Sequence, residues 1–440
     1  MILISFLVTV LVGSLLLTLP ISSATGKSVP YIDALFTATT ATCVTGLVTV
    51  PTFSTWSVFG QVIILILIQV GGLGIVTVMT GLMLLFNKKM GIGDRLLVQD
   101  AFNLNTMSGL VKFVKDVLIG TFIIEGVGAL LYMTVFIPKF GLRGIWISIF
   151  TAVSAFCNAG IDIMGANSLC DYATNPVINI VTCALIVLSG LGYIVWWDVI
   201  RVFRTRTKQN RRIFRHLTLH SKIAITATLA LVFIGAMLIL ALEYSNPATI
   251  GGMTLPNKIL ASFFQSVTTR TAGFASIPQT GLTNAGALVS LVLMLIGGSP
   301  VGTAGGIKTV TVVVLFCSAL STIRGKSAAE LFGRRVSDDS LKKAMAVAVT
   351  FFTICSVSTL LLATRTDASL LDVLYETVSA TATVGLSRDL TPTLDTVSKL
   401  IIIATMYLGR VGPISLAVAL GGKSGNQNAI SAPKEDISIG

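Results

Sequence analysis

A twelve-residue pattern built round one glycine occurs four times in the chain, as FTATTATCVTGL from Phe36, FTAVSAFCNAGI from Phe150, FFQSVTTRTAGF from Phe263 and YETVSATATVGL from Tyr375. The glycines are Gly46, Gly160, Gly273 and Gly385, spaced 114, 113 and 112 residues apart. Ten positions before each stands an aromatic residue, Phe36, Phe150, Phe263 or Tyr375, and six or seven before it a hydroxyl, Thr40, Ser154, Ser266 or Ser379. A large apolar residue follows each glycine: Leu47, Ile161, Phe274 or Leu386. So long a period restricts the chain to four copies of one supersecondary unit.

The chain must also suit a bilayer. It is 53% hydrophobic and 11% charged, with mean hydropathy +0.88, where a soluble domain carries about 25% charged residues. Each glycine motif lies between two long apolar runs: 1–20 and 57–86, 117–137 and 177–203, 223–242 and 285–323, 344–364 and 396–421. Residues 1–20 lack the positive start of a signal peptide and read as a first span. This predicts an all-α membrane protein of four parallel span–pore–span repeats in pseudo-fourfold arrangement, with eight transmembrane helices and four re-entrant pore helices. The expected divisions are 1–86, repeat 1; 87–115, loop; 116–203, repeat 2; 204–222, loop; 223–323, repeat 3; 324–343, loop; 344–422, repeat 4; and 423–440, a polar tail.

The segments between spans, about 32–45, 145–159, 258–272 and 371–384, read as helices of roughly twelve residues, about 18 Å or half a membrane. Asp33 and Asp372 stand where N-caps are expected. The basic residues of the +12 chain cluster between units, with five Lys/Arg in 87–115, eight in 201–222 and six in 321–343. The positive-inside rule makes these loops and the N-terminus cytoplasmic. The half-helices then enter from outside and point their negative C-terminal ends at the membrane centre, which favours a cation. The runs that follow, Thr42-Cys43-Val44-Thr45-Gly46, Cys157-Asn158-Ala159-Gly160, Arg270-Thr271-Ala272-Gly273 and Ala382-Thr383-Val384-Gly385, can present backbone carbonyls in place of an ion's water shell. Recurrence of glycine between differing side chains suits recognition by backbone; close helix packing is the blander use of such glycines.

Residues 285–323 carry one charge, Lys308. As one helix they would span about 58 Å, twice the hydrocarbon core, so the run must break. The break is written at Gly297-Gly298-Ser299-Pro300-Val301-Gly302-Thr303-Ala304-Gly305-Gly306, and this is expected to be the one clearly broken span. Irregular backbone at that depth implies a water-lined cavity.

TCVTG at 42–46, CNAG at 157–160, TRTAGF at 269–274, TVGL at 383–386 and GGSPVGTAGGIKT at 297–309 together resemble the Trk/Ktr/HKT superfamily of potassium transporters, most of all the bacterial KtrB-type membrane subunit. The resemblance covers essentially the whole chain. It implies potassium as the transported ion, because many sodium-selective members replace the first filter glycine by serine and this chain keeps Gly46. It implies that the broken loop is an intramembrane gate with Lys308 and Arg410 beside the path, and that sodium is a candidate activator. It also implies a homodimer in the bacterial inner membrane, with a cytosolic nucleotide-binding ring of the KtrA type on the basic face. No organic cofactor is expected on this chain. A coupled, alternating-access symporter of potassium with sodium or protons is the competing reading; parallel repeats and a single broken span favour the channel-like one.

Arg270, beside the third run, is expected to point behind the filter toward Glu376 or Asp372. Glu125 reads as a relay or as a structural pair with another helix, and Asp162 as a cation attractor at the mouth or a solvated loop acid. His216 and His220, four apart, are too few for zinc. GKS at 325–327 and 422–424 lacks the upstream glycine of a phosphate loop, so nucleotide binding is not expected here. Six cysteines at non-metal spacing predict neither disulfides nor a metal site. The basic loops lie between apolar spans, which argues against nucleic acid, and an enzyme would need catalytic clusters within the spans, which are absent.

Overall fold

The computed structural model describes residues 2–85, 91, 109–165, 167–204, 213–326 and 329–412. Most of the expected loop 87–115, the stretch 205–212, the end of the last span, the second GKS and the 423–440 tail lie outside the described residues.

Among the described residues fifteen helices have eleven residues or more: α1 Ile2–Thr18, α2 Tyr31–Cys43, α3 Val58–Leu73, α4 Ile75–Leu85, α5 Leu110–Phe140, α6 Arg143–Cys157, α7 Pro176–Gly190, α8 Tyr193–Arg204, α9 Leu219–Glu243, α10 Leu255–Thr268, α11 Asn284–Leu295, α12 Thr309–Ile323, α13 Asp338–Ala363, α14 Leu370–Ala382 and α15 Thr396–Val411. Short polar residues start many of them. Ser57, Thr218, Thr283, Ser337, Ser369 and Asp395 each accept a hydrogen bond from a first-turn N–H, and Asn175 caps α7 ahead of Pro176. Asp33 and Asp372 are not N-caps. They sit three residues inside helices that begin after Pro30 and Ser369. There they favour the positive helix end and reach outward, Asp33 to Lys399 at 2.7 Å and Asp372 to Arg388 at 2.6 Å.

Three helices, α5, α9 and α13, are long and apolar enough to cross a membrane in one piece. Their outward positions are large and apolar, as with Phe122, Ile123 and Leu130 on α5 or Phe233 and Met237 on α9. The buried positions of α2, α6, α10 and α14 are rich in hydroxyls instead, including Thr40, Thr42, Ser148, Thr151, Ser262, Thr377 and Ser379. An apolar exterior round a polar interior suits lipid as solvent.

The expectation of one broken span is corrected. The α3–α4 pair is bent by 102° and the α7–α8 pair by 91°, besides the interruption between α11 and α12. The cause is one glycine in each bent pair: Gly74 has φ +84° and Gly192 φ +86°, angles outside the right-handed helix. Gly412 ends α15 the same way, at φ +83°.

Candidate functional site: four strands over a loop

The four short helices α2, α6, α10 and α14 run 13, 15, 14 and 13 residues, about 20 Å each. The chain leaves each by a left-handed residue two positions before the repeated glycine: Val44 (φ 55°), Asn158 (59°), Thr271 (67°) and Thr383 (51°). The glycines are themselves left-handed, Gly46 at φ 102°, Gly160 at 64°, Gly273 at 83° and Gly385 at 96°. In three units the hydroxyl residue ties this turn to its helix: Thr45, Ala159 and Val384 donate backbone N–H bonds of 2.8 Å to the carbonyls of Thr40, Ser154 and Ser379.

The third unit corrects the alignment. Ala272 donates to Thr268 O, and Thr268 Oγ1 donates to Phe274 O as Ser154 Oγ donates to Ile161 O. Ser266 instead turns outward to the carbonyl of Val232 on α9. Phe264 is fully buried, like Phe36, Phe150 and Tyr375, whereas Phe263 is only partly so. The true pair is Phe264 and Thr268, four apart as elsewhere, and the strand to Gly273 is one residue shorter. In units one and four the hydroxyl works the other way, accepting the glycine N–H: Gly46 N to Thr40 Oγ1 at 2.9 Å and Gly385 N to Ser379 Oγ at 3.0 Å.

The four strands meet in cyclic order. A methyl added at Gly46 would stand 2.5 Å from Ala159 O, at Gly160 2.6 Å from Ala272 O, at Gly273 2.5 Å from Val384 O, and at Gly385 closer still to Thr45 O. Each glycine thus faces the carbonyl before the next unit's glycine, and only hydrogen fits. Above them opens a cavity of about 510 Å³ that all four glycines line. Its charged lining residues, among those described, are two acids, Asp162 and the unforeseen Asp389. Burial pushes the Asp162 carboxyl up to about 6, against hydrogen bonds from Ser168 and the N–H groups of Met164 and Gly165.

Below the strands, residues 297–306 fold back between α11 and α12. The loop is pinned to the bend between α7 and α8, with Ser299 N donating to Gly190 O (2.7 Å) and Tyr193 N to Val301 O (2.9 Å). Ser299 and Thr309 join hydroxyls at 2.9 Å, while Gly298 and Gly302 lie where a Cβ would meet Gly190 and Ser189 backbone. Gly306 takes φ +64° to turn the chain back under Gly297. Three cations then hold loop carbonyls: Arg270 donates to Gly297 O (3.3 Å), Lys308 to Ala304 O, and Arg410 to Thr303 O (2.6 Å) and to Gly71 O.

Arg270 does not meet the acids expected for it. Asp372 is taken by Arg388, and Glu376 accepts from Ser387 (2.7 Å) and Thr391. Its partner is a carbonyl, which no residue letter could signal. Glu125 on α5 meets Gln69 on α3 at 3.2 Å and accepts from Cys157 Sγ at 3.9 Å, a pair between helices that also touches the second strand. All six cysteines are free, and no cluster of three His, Cys, Asp or Glu occurs among the described residues.

An apolar shell round four short, hydroxyl-rich helices and a constricted backbone ring defines a helical membrane protein. Comparison narrows that class. Residues 2–427 match the TrkH family, described as cation transport proteins. The chain is 38% identical to the potassium/sodium uptake protein NtpJ of Enterococcus hirae, with 99% of this chain and 95% of that one covered. It is 40% identical to Ktr system potassium uptake protein B of Bacillus subtilis, covering 94% and 90%. Its fold matches the crystal structure of the potassium transporter TrkH from Vibrio parahaemolyticus at TM-score 0.73 and 14% identity, over 94% of this chain and 84% of that one. The chain belongs to the TrkH family of cation transport proteins, a family of transporters and not of enzymes.

Proposed function

We propose that this chain is the potassium-translocating membrane subunit of a Ktr/Trk-type uptake system, with a backbone filter at the four-glycine ring and a gate at residues 297–306. The observation that carries it is the cyclic order of the ring, in which each glycine faces the next unit's carbonyl. Desolvated carbonyls at the negative ends of four half-helices favour a bare cation. The two vestibule acids supply the same sign of field outside. On this reading the chain forms four parallel span–pore–span repeats with the boundaries given above, the broken helices joined pairwise into eight spans.

Arg410 and Lys308 place positive charge in the path while the loop is seated, and their withdrawal with the loop would admit a cation. Assembly as a homodimer in the bacterial inner membrane, N-terminus cytoplasmic, with a nucleotide-binding ring on the inner face and sodium as activator, completes the proposal. It rests on the relatives described as Ktr system uptake proteins and on the basic inner loops. The recurrent breaks at Gly74, Gly192 and 297–306 favour the second reading, a coupled symporter. Reconstituted chain tests both. Passive potassium and rubidium flux exceeding sodium flux, with the preference weakened by Gly46→Ser, supports the filter; a preference untouched by that change refutes it. Uphill potassium movement driven by a sodium or proton gradient alone would establish the symporter.

A further inference from the structure

The four left-handed residues set the backbone angles of the strands, and the side chains of three of them end on one tripeptide of the loop. Asn158 Nδ2 donates to Thr303 Oγ1 at 3.0 Å, and Ser189 Oγ holds Asn158 Oδ1 from the other side at 3.4 Å. Thr271 Oγ1 accepts from Gly305 N at 3.0 Å. Thr383 packs on Gly305 so closely that an added methyl there would collide with its Oγ1. The fourth, Val44, reaches the same tripeptide indirectly. Its methyl lies 2.9 Å from where a Cβ would stand on Gly71, whose carbonyl shares the Arg410 guanidinium with Thr303 O. Asn158, Thr271 and Thr303 are all buried, at 1% exposure or less, so no water replaces these partners while the loop is seated.

A plug needs only to fill the path. This loop also supplies hydrogen-bond partners to Asn158 and Thr271, two of the residues that set the strand geometry, and packs on a third, Thr383. We propose that the seated loop is a working part of the filter, and that Asn158, Thr271 and Thr383 couple ion preference to the position of Thr303–Gly305. The proposal rests on the gate reading above and adds a reciprocal consequence. If unseating the loop loosens the strands and lowers their affinity for potassium, potassium in the filter must favour the seated loop by the same factor. One neutral hydrogen bond corresponds to about a fivefold change in an equilibrium. Asn158 and Thr271 together therefore correspond to a coupling of about 25-fold.

The test uses the full chain in proteoliposomes, with potassium and sodium flux measured over a range of concentrations for the parent, Thr303→Val and Thr271→Val, each checked for folding by its melting profile. Expected is a rise in maximal flux together with a shift of up to about fivefold in potassium half-saturation and in the potassium-to-sodium ratio. Raised flux with both quantities unchanged overturns the coupling and leaves the gate intact. Flux unchanged by deleting residues 299–304 from a folded chain overturns the gate and the coupling with it. A second measurement avoids the hydrogen-bonding residues. Ser299→Cys, modified from the inner side by a charged thiol reagent, should react about fivefold more slowly in potassium than in choline, counted above the parent chain's own cysteines. Modification at a rate independent of potassium overturns the proposal.

Discussion

Adding one methyl group at Gly305 should open the pore. A Cβ there would stand 2.6 Å from Ala382 O and closer still to Thr383 Oγ1. The backbone oxygen cannot retreat, because the adjoining turn is fixed by the Val384 N–H bond to Ser379 O. Gly305 has no left-handed backbone angle, so alanine costs nothing locally, and the clash exists only with the loop seated. Overpacking of this kind costs about 1–3 kcal/mol, which shifts the seated-to-open ratio by about 5- to 150-fold at 1.4 kcal/mol per decade. Gly305→Ala should therefore increase potassium flux from reconstituted protein, with Gly126→Ala, on a face with nothing within 4 Å, as the silent control. Flux that falls or stays level in a chain melting like the parent would refute the contact between loop and strand as a closing contact.

At Gly46, φ +102° and the facing Ala159 carbonyl penalise any side chain; serine should cost about 1–3 kcal/mol of local strain, seen as weakened potassium preference in competitive flux. Arg410→Gln removes the charge and most of a fork shared by two carbonyls. Charge-assisted bonds contribute about 1.5–3 kcal/mol, so flux should rise more than tenfold, while unchanged flux would count against a closing role. The Asp162 carboxyl, raised to about 6 by burial, gains its charge only as pH climbs past that value. Potassium uptake well below saturation should accordingly increase from pH 5 to pH 7 and flatten in Asp162→Asn; a parent profile flat over that range would dismiss the acid. Glu125→Gln keeps a partner for Gln69 and should leave selectivity near the parent's, whereas Glu125→Leu takes from Gln69 Nε2 the carboxylate it donates to at about 1–3 kcal/mol, read as a lowered melting temperature.

The half-helices were legible because their signal is redundant: aromatic, hydroxyl and glycine recur in register, and α2, α6, α10 and α14 fall within a few residues of the expected segments. The third copy misled because two phenylalanines stand side by side and two hydroxyls flank the true one. Burial of Phe264 and the Thr268 bond decide the register, and both depend on tertiary neighbours. The breaks at Gly74 and Gly192 carried a weaker mark. A lone glycine inside an apolar run is common in membrane helices, although GGLG at 71–74 and SGLG at 189–192 do recur at like distances after their ring glycines. Loop contacts were harder still. Arg270, Lys308 and Arg410 all bind main-chain carbonyls, which every residue possesses and no spacing reveals.

The ion pair between Asp33 and Lys399 joins positions 366 residues apart. It fastens the first half-helix to the last span, so the ring has a seam where the start of the chain meets its end. Three of the four ring glycines are therefore synthesised well before the fourth, Gly385. Until the run ending in Gly385 is in place, the Thr45 carbonyl has no facing glycine. A chain cut short before Gly385 would leave the Thr45 carbonyl without its facing glycine and Gly273 without its facing carbonyl. Closure of the ring thus depends on the last quarter of the chain to be made.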